Sequence, residues 1–147
     1  MSNPLSLGPL NEGSGVSYIY YDKEYSIMIL AGRGDNTIGV YRFDKSNPNV
    51  LELISTNNFL STTQKAFSIM PKHIVDVSKQ EVMRSVRATN NGKLEVLAMR
   101  IPNRMGGFNQ DYYPAFDANE PSSTAEAWCA GTDVPAKTMQ LTGASKT

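Results

Sequence analysis

The stretch ILAGRGDNTIGVYRF, residues 29–43, decides how the chain is read. It holds an apolar run, two glycines one residue apart from an arginine between them, and an Arg-Gly-Asp triplet. A second run of β-branched and aromatic residues follows. A dinucleotide-binding loop needs a third glycine and a helix behind it. Here Gly34 is followed by Asp35, Asn36 and Thr37, and then by the strand-forming series Ile38, Val40 and Tyr41. An adhesion triplet would need a projecting loop in a secreted protein. The opening MSNPLSLGPLNEGSG has no basic region followed by an apolar one, so it does not read as a secretory signal. What these residues do supply is a tight turn. Gly32 and Gly34 can take positive φ, and Asp35 and Asn36 can bond their own backbone two residues on. The stretch predicts a hairpin turn between two strands.

Working outward, strand signals flank it on both sides. Residues 16–22, 26–32, 37–44 and 50–56 are rich in β-branched and aromatic side chains, and turn-like KEY, RGDN and KSNPN separate them. Four strands joined by short turns describe an antiparallel meander with the size and content of one propeller blade. The pattern then begins again at 65–71, 81–88 and 94–101, the last two joined through the Asn-Gly turn of TNNG. That makes three strands, and the final blade lacks its outer one. Residues 1–15, rich in Pro, Gly, Ser and Asn, read as an incoming connector. From residue 102 the chain is loop-like, with aromatics at Phe108, Tyr112, Tyr113, Phe116 and Trp128. Those rings are expected to lie across the sheets and be buried. Ser123 and Glu126 form a capping box that predicts a short helix through Trp128, stopping near Gly131. The predicted fold is all-β: antiparallel four-stranded blades of a partial WD40-type propeller, with an irregular C-terminal extension containing one short helix. Its divisions are a connector over 1–15, a complete blade over 16–62, an incomplete three-stranded last blade over 63–103, and an extension over 104–147 packing on the blades.

Composition narrows the function classes. The 147 residues carry 14 Lys and Arg against 14 Asp and Glu, so no overall field draws the chain to nucleic acid or a membrane. The charge is unevenly spread: residues 63–104 hold eight bases and three acids, and residues 105–147 hold two bases and five acids. Cys129 is the one cysteine, which fits a reducing compartment. No apolar run approaches the length of a membrane span. The single histidine, His73, and Cys129 are too few and too far apart for a metal site. His73 and Asp76 have no nucleophile beside them, and a calcium loop starting at Asp44 fails because Asn49 stands where glycine is needed. The reading is a cytoplasmic protein with no catalytic residues, cofactor or metal.

Several spaced motifs, in order, resemble the last part of a coronin. They are YYDKEYSIMILAGRGDNTIGVYRFD (20–44), FSIMPKHIVDVSKQEVMR (67–84), MRIPNR (99–104), FNQDYYPAFD (108–117) and AWCAGTD (127–133). The resemblance covers residues 14–142; His73 stands where the family pattern has arginine, and Val75 where it has leucine. It implies the last two blades of a seven-bladed WD-type propeller plus the extension, the final blade taking its fourth strand from the start of the whole protein. It also implies a non-enzymatic module of the actin cytoskeleton, with actin filaments and the other blades as partners. Filaments are acidic, so Lys72, Lys79, Arg84, Arg87 and Arg104 are the candidate contacts. A scaffold for other protein partners in trafficking or signalling is the alternative. Two blades alone would leave apolar faces open, so a fragment or truncated form that is weakly stable by itself is expected.

Overall fold

Tyr18 and Tyr20 alternate with Ile19 and Tyr21 along the first strand, which turns the first pair inward and leaves the second pair exposed. The same alternation organises most of the molecule. The computed structural model of the chain describes residues 15–44, 46, 51–57, 61–101 and 107–143. The connector read at 1–15 lies outside these residues, except for Gly15.

Strands β1 (Ser17–Asp22), β2 (Ile27–Gly32), β3 (Ile38–Phe43) and β4 (Leu51–Asn57) form an antiparallel sheet in sequence order. In β2, Ile29, Leu30 and Ala31 are all fully buried, as an apolar run covered on both faces should be. The turn after β2 works as the sequence suggests, with one difference. Gly34 takes φ of 92°, in the left-handed region. Gly32 does not; a Cβ there would stand 2.0 Å from Asp35 Oδ2, so the Asp35 carboxylate would have to turn aside. A second antiparallel sheet holds β5 (Gln64–Ile69), β6 (Glu81–Thr89) and β7 (Leu94–Arg100), again in order. Gly92, at φ 79°, closes the Asn-Gly turn between β6 and β7.

The two sheets share one apolar seam. Ile29, Ala31 and Ile38 from the first meet Phe67 and Met83 from the second, with Tyr18, Tyr20, Ile69, Leu97 and Met99 around them. Tyr20 stands edge-on to Phe67, the ring centroids 5.9 Å apart, and its hydroxyl donates to the Phe67 carbonyl at 3.0 Å. Tyr18 likewise donates to the Lys65 carbonyl at 3.1 Å. The Arg-Gly-Asp turn clasps the other sheet: Gly34 N–H donates to Gln64 O at 2.7 Å, and Gln64 N–H donates to Asp35 O at 2.9 Å. The fully buried Gln64 side chain adds bonds from Nε2 to the carbonyls of Gly32 at 3.0 Å and Thr37 at 3.2 Å. The triplet is therefore a structural clasp and not a projecting loop.

Between β5 and β6 the chain makes two 3-10 turns, Lys72–Ile74 and Val77–Lys79. Asp76 caps the second, its carboxylate accepting from Ser78 N–H at 3.1 Å. The hydrogen bond from Lys79, and after it the one from the Ser78 hydroxyl, hold the Asp76 carboxyl down at about 2.

The C-terminal part contains a feature absent from the sequence reading: β8 (Phe116–Asp117) pairs antiparallel with β9 (Thr138–Met139). The short helix α1 spans Ala125–Cys129. Its cap is Thr124, not Ser123; the Thr124 side chain accepts from Ala127 N–H at 3.2 Å. The end of α1 is as expected. Gly131, at φ 82°, donates to Trp128 O, and Thr132 N–H donates to Ala127 O, both at 3.0 Å. Among the aromatics expected to be buried, Tyr113 and Phe116 are. Trp128 is not; it is 74% exposed, because α1 turns that ring away from both apolar clusters.

Two outcomes check this fold. Phe67→Ala should cost about 3–5 kcal/mol in denaturant unfolding, because it empties the seam. Leu94→Ala, on an exposed face, should cost under about 1 kcal/mol. Equal losses would contradict the assignment of the core. Second, the folded-state acidity of Asp76 is depressed, so its stabilising contribution is present above about pH 4 and is lost as the pH falls towards 2. Asp76→Asn should therefore lower stability at neutral pH, and its difference from wild type should shrink over that window in acid titrations of the unfolding midpoint.

Candidate interaction surface

Five cations were singled out by charge: Lys72, Lys79, Arg84, Arg87 and Arg104. Arg104 lies outside the described residues. The other four sit on two kinds of support, and the backbone decides which charge reaches solvent.

Arg87 belongs to β6, on the face that also carries Met83 and Ser85, so it points into the structure. Only 1% of its side chain is exposed. Glu95 is its cross-strand neighbour on β7 and accepts from Arg87 Nε at 2.9 Å and NH2 at 2.5 Å. The remaining nitrogen, NH1, donates to the Thr62 carbonyl at 2.8 Å. That guanidinium ties β6, β7 and the segment ahead of β5 together.

Lys72 lies in the first 3-10 turn with its side chain 20% exposed. Its ammonium donates at 2.7 Å both to Asp22 Oδ1 and to Glu24 Oε2, on the turn between β1 and β2. It also stands 4.7 Å from the centre of the Tyr25 ring. Burial alone would raise the Glu24 carboxyl; the Lys72 bond and the backbone bonds outweigh it and leave that carboxyl below the usual range. Burial, followed by the Asp22 charge, pushes the Tyr25 hydroxyl well up, so it stays a donor.

The structure brings the remaining two cations together and adds one. Lys79 is 62% exposed and pairs with Asp76 at 2.8 Å. Arg84 grips Glu81 through Nε at 3.1 Å and through NH2. Arg100 of β7, 56% exposed, reaches the other Glu81 oxygen at 3.8 Å. Glu81 itself is buried and also accepts from Asp76 N–H at 3.0 Å. Three cations (Lys79, Arg84, Arg100) thus surround two carboxylates (Asp76, Glu81), leaving a local excess of one positive charge. Beside them opens a cleft of about 540 Å³, lined by His73, Asp76, Ser78, Arg84, Gln140 and Leu141 among others. Asp76 and Arg84 at its wall are each paired, with Lys79 and with Glu81. His73 and Asp76 line it from separate turns, not from one helical turn.

Sequence reasoning missed Arg100, and it missed the acidic partners of Lys72. The Arg87–Glu95 pair was not within reach either: a two-residue Asn91-Gly92 turn would set Arg87 opposite Val96, and it is the three-residue loop 90–92 that brings Glu95 across from it. Lys72 and Asp22 are 50 residues apart, and no local pattern joins them. Among the described residues no helix is long and apolar enough to cross a membrane.

No protein-family model matches the chain. Individual proteins do. Coronin-A of Dictyostelium discoideum is 33% identical over 142 residues, which is 97% of this chain and 31% of that protein. The coronin-like protein of Saccharomyces cerevisiae is 32% identical over 126 residues, 85% of this chain and 19% of that one. Mouse coronin-2A is 32% identical over 132 residues, 89% and 25%. The chain spans at most about a third of the length of these relatives. In three dimensions it superposes on the crystal structure of the WD40 domain of Toxoplasma gondii coronin with a TM-score of 0.82. The match is 24% identical in sequence and covers 95% of this chain and 35% of that one. The antiparallel sheets therefore have the WD40 propeller fold, and the chain belongs to the coronin family.

Proposed function

We propose that this chain forms the last two blades and the C-terminal extension of a coronin-like propeller. Its three-stranded sheet is then the final blade, and the module binds actin filaments in the cytoplasm by charge and shape, without catalysis. Kinship with the coronins over nearly the whole chain carries this reading. The two sheets also expose apolar residues on the faces turned away from their shared seam: Ile19, Tyr21 and Leu53 on one, Leu94 and Val96 on the other. Faces of this kind mark contact surfaces, and neighbouring blades of a longer protein are the partners proposed for them.

For the filament, the described part of the charge set read from the sequence contracts to the spot around Glu81, and Arg104 stays in the set as read. Lys79 and Arg84 stay in it, and Arg100 joins them. Lys72 and Arg87 spend their charges inside the molecule. An acidic surface would meet a rim of this type through screened, salt-sensitive attraction.

Co-sedimentation with actin filaments tests the proposal. Wild type should pellet with filaments, less so as salt rises, and Lys79→Glu with Arg100→Glu should weaken binding by about tenfold. Loss of pelleting confined to high salt fits. Absence of pelleting in the protein at low salt would remove the actin reading in favour of a scaffold for other proteins. Binding untouched by the double reversal would remove the site.

A further inference from the structure

The segment 107–143 is attached to the sheets in an unusual way. Among the described residues, no backbone-to-backbone hydrogen bond joins it to residues 15–101. Its own backbone bonds are internal: β8 pairs only with β9, Ala118 N–H donates to Lys137 O, and the turns at 109–113 and 124–132 close on themselves. Side chains do the fastening. Tyr25 Oη donates to the Tyr112 carbonyl at 2.8 Å. Lys23 Nζ donates to Asp117 Oδ2 at 2.6 Å. The Tyr113 ring is buried among Val75, Val77 and Val82 and stacks on Phe108, with centroids 5.3 Å apart.

Two longer bonds add to these, from Gln80 Nε2 to the Gly107 carbonyl at 3.4 Å and from Tyr113 Oη to the Val77 carbonyl at 3.5 Å. The two shortest polar fasteners, from Lys23 and Tyr25, come from one turn, between β1 and β2. Asp22 shapes that turn: its Oδ1 accepts from Glu24 N–H at 3.1 Å and from Tyr25 N–H at 3.2 Å. The same oxygen takes the Lys72 ammonium at 2.7 Å, and Glu24 takes it from the other side at 2.7 Å. The Asp22 and Glu24 side chains are 7% and 13% exposed, so water cannot take over from Lys72. Without it, Glu24 keeps only the longer, exposed contact to Lys23 at 3.8 Å, and two poorly hydrated carboxylates facing each other are driven apart. The turn would then lose the shape that aims Lys23 and Tyr25.

We infer that residues 107–143 form a charge-locked strap: the Lys72 ammonium holds the 22–25 turn in the shape that fastens the segment, and removing that charge frees the strap while both sheets stay folded. The Tyr113 ring would leave its seat among the three valines, exposing them. Nothing in this joint depends on what the molecule binds.

Hydrogen exchange read by mass spectrometry on the whole protein tests this. Lys72→Met keeps the length of the side chain and drops the charge. Exchange in peptides from 107–118 should rise about tenfold or more, with β2 and β6 peptides protected as in wild type. Lys72→Arg should exchange close to wild type. Tyr25→Phe removes a single hydroxyl bond, is expected to fold, and should loosen the same peptides. That variant decides the matter if Lys72→Met does not fold. Exchange that is unchanged at 107–118 in Lys72→Met, or that rises equally in β2 and β6, would overturn the strap. So would an unchanged strap in Tyr25→Phe.

Discussion

The seam between the two sheets is the contact on which the other features depend. A pleated sheet of three or four strands has little stability until one of its faces is dry. Here Ile29, Ala31 and Ile38 dry one face against Phe67 and Met83 on the other. The hydrophobic contribution is non-directional, and the register comes from polar clamps at the edge of the seam. Gln64 and the Arg-Gly-Asp turn exchange backbone bonds, and Tyr18 and Tyr20 donate to carbonyls of β5. Once the sheets are docked, the β1–β2 turn faces the 3-10 turns, and Lys72 comes within reach of Asp22 and Glu24.

Charge in this molecule follows backbone support more than composition. Of the bases in the basic half of the sequence, at least two are turned inward. Arg87 is drawn inward by strand alternation and neutralised by its opposite number on β7. Lys72 is drawn inward by a turn that presents two carboxylates. Lys79 and Arg100, on a turn and on an exposed strand face, are left to meet solvent. Around Glu81 this leaves a small local excess of positive charge, so a partner reading that spot must rely on shape as much as on attraction.

Much of the fold was legible because period-two alternation and turn chemistry are local signals. Each of the seven sheet strands falls within two residues of its expected bounds, and both glycine turns form where Gly34 and Gly92 stand. The helix stop at Gly131 was readable for the same reason. Its start was not: Ser122, Ser123 and Thr124 are all able caps, and the one that caps is Thr124. The β8–β9 pair joins Phe116 to Met139 and Asp117 to Thr138, distant in sequence, through two-residue strands too short to leave a pattern. Trp128 was expected inside on hydrophobicity alone, but a ring on a five-residue helix goes where the helix is aimed. The candidate site was the least legible part. It is made of side chains from distant segments, and a charge count cannot tell an internal tie from an exposed contact.

Methyl-to-methyl nuclear Overhauser spectra, with isoleucine δ1 and methionine ε methyls labelled, test the seam most directly. The structure requires cross-peaks from Ile29 or Ile38 to Met83, each assigned by loss of the peak in the Ile→Val or Met→Leu variant. Ordered methyl signals with no cross-peak between those residues of the two sheets would contradict the packing from which everything else is derived.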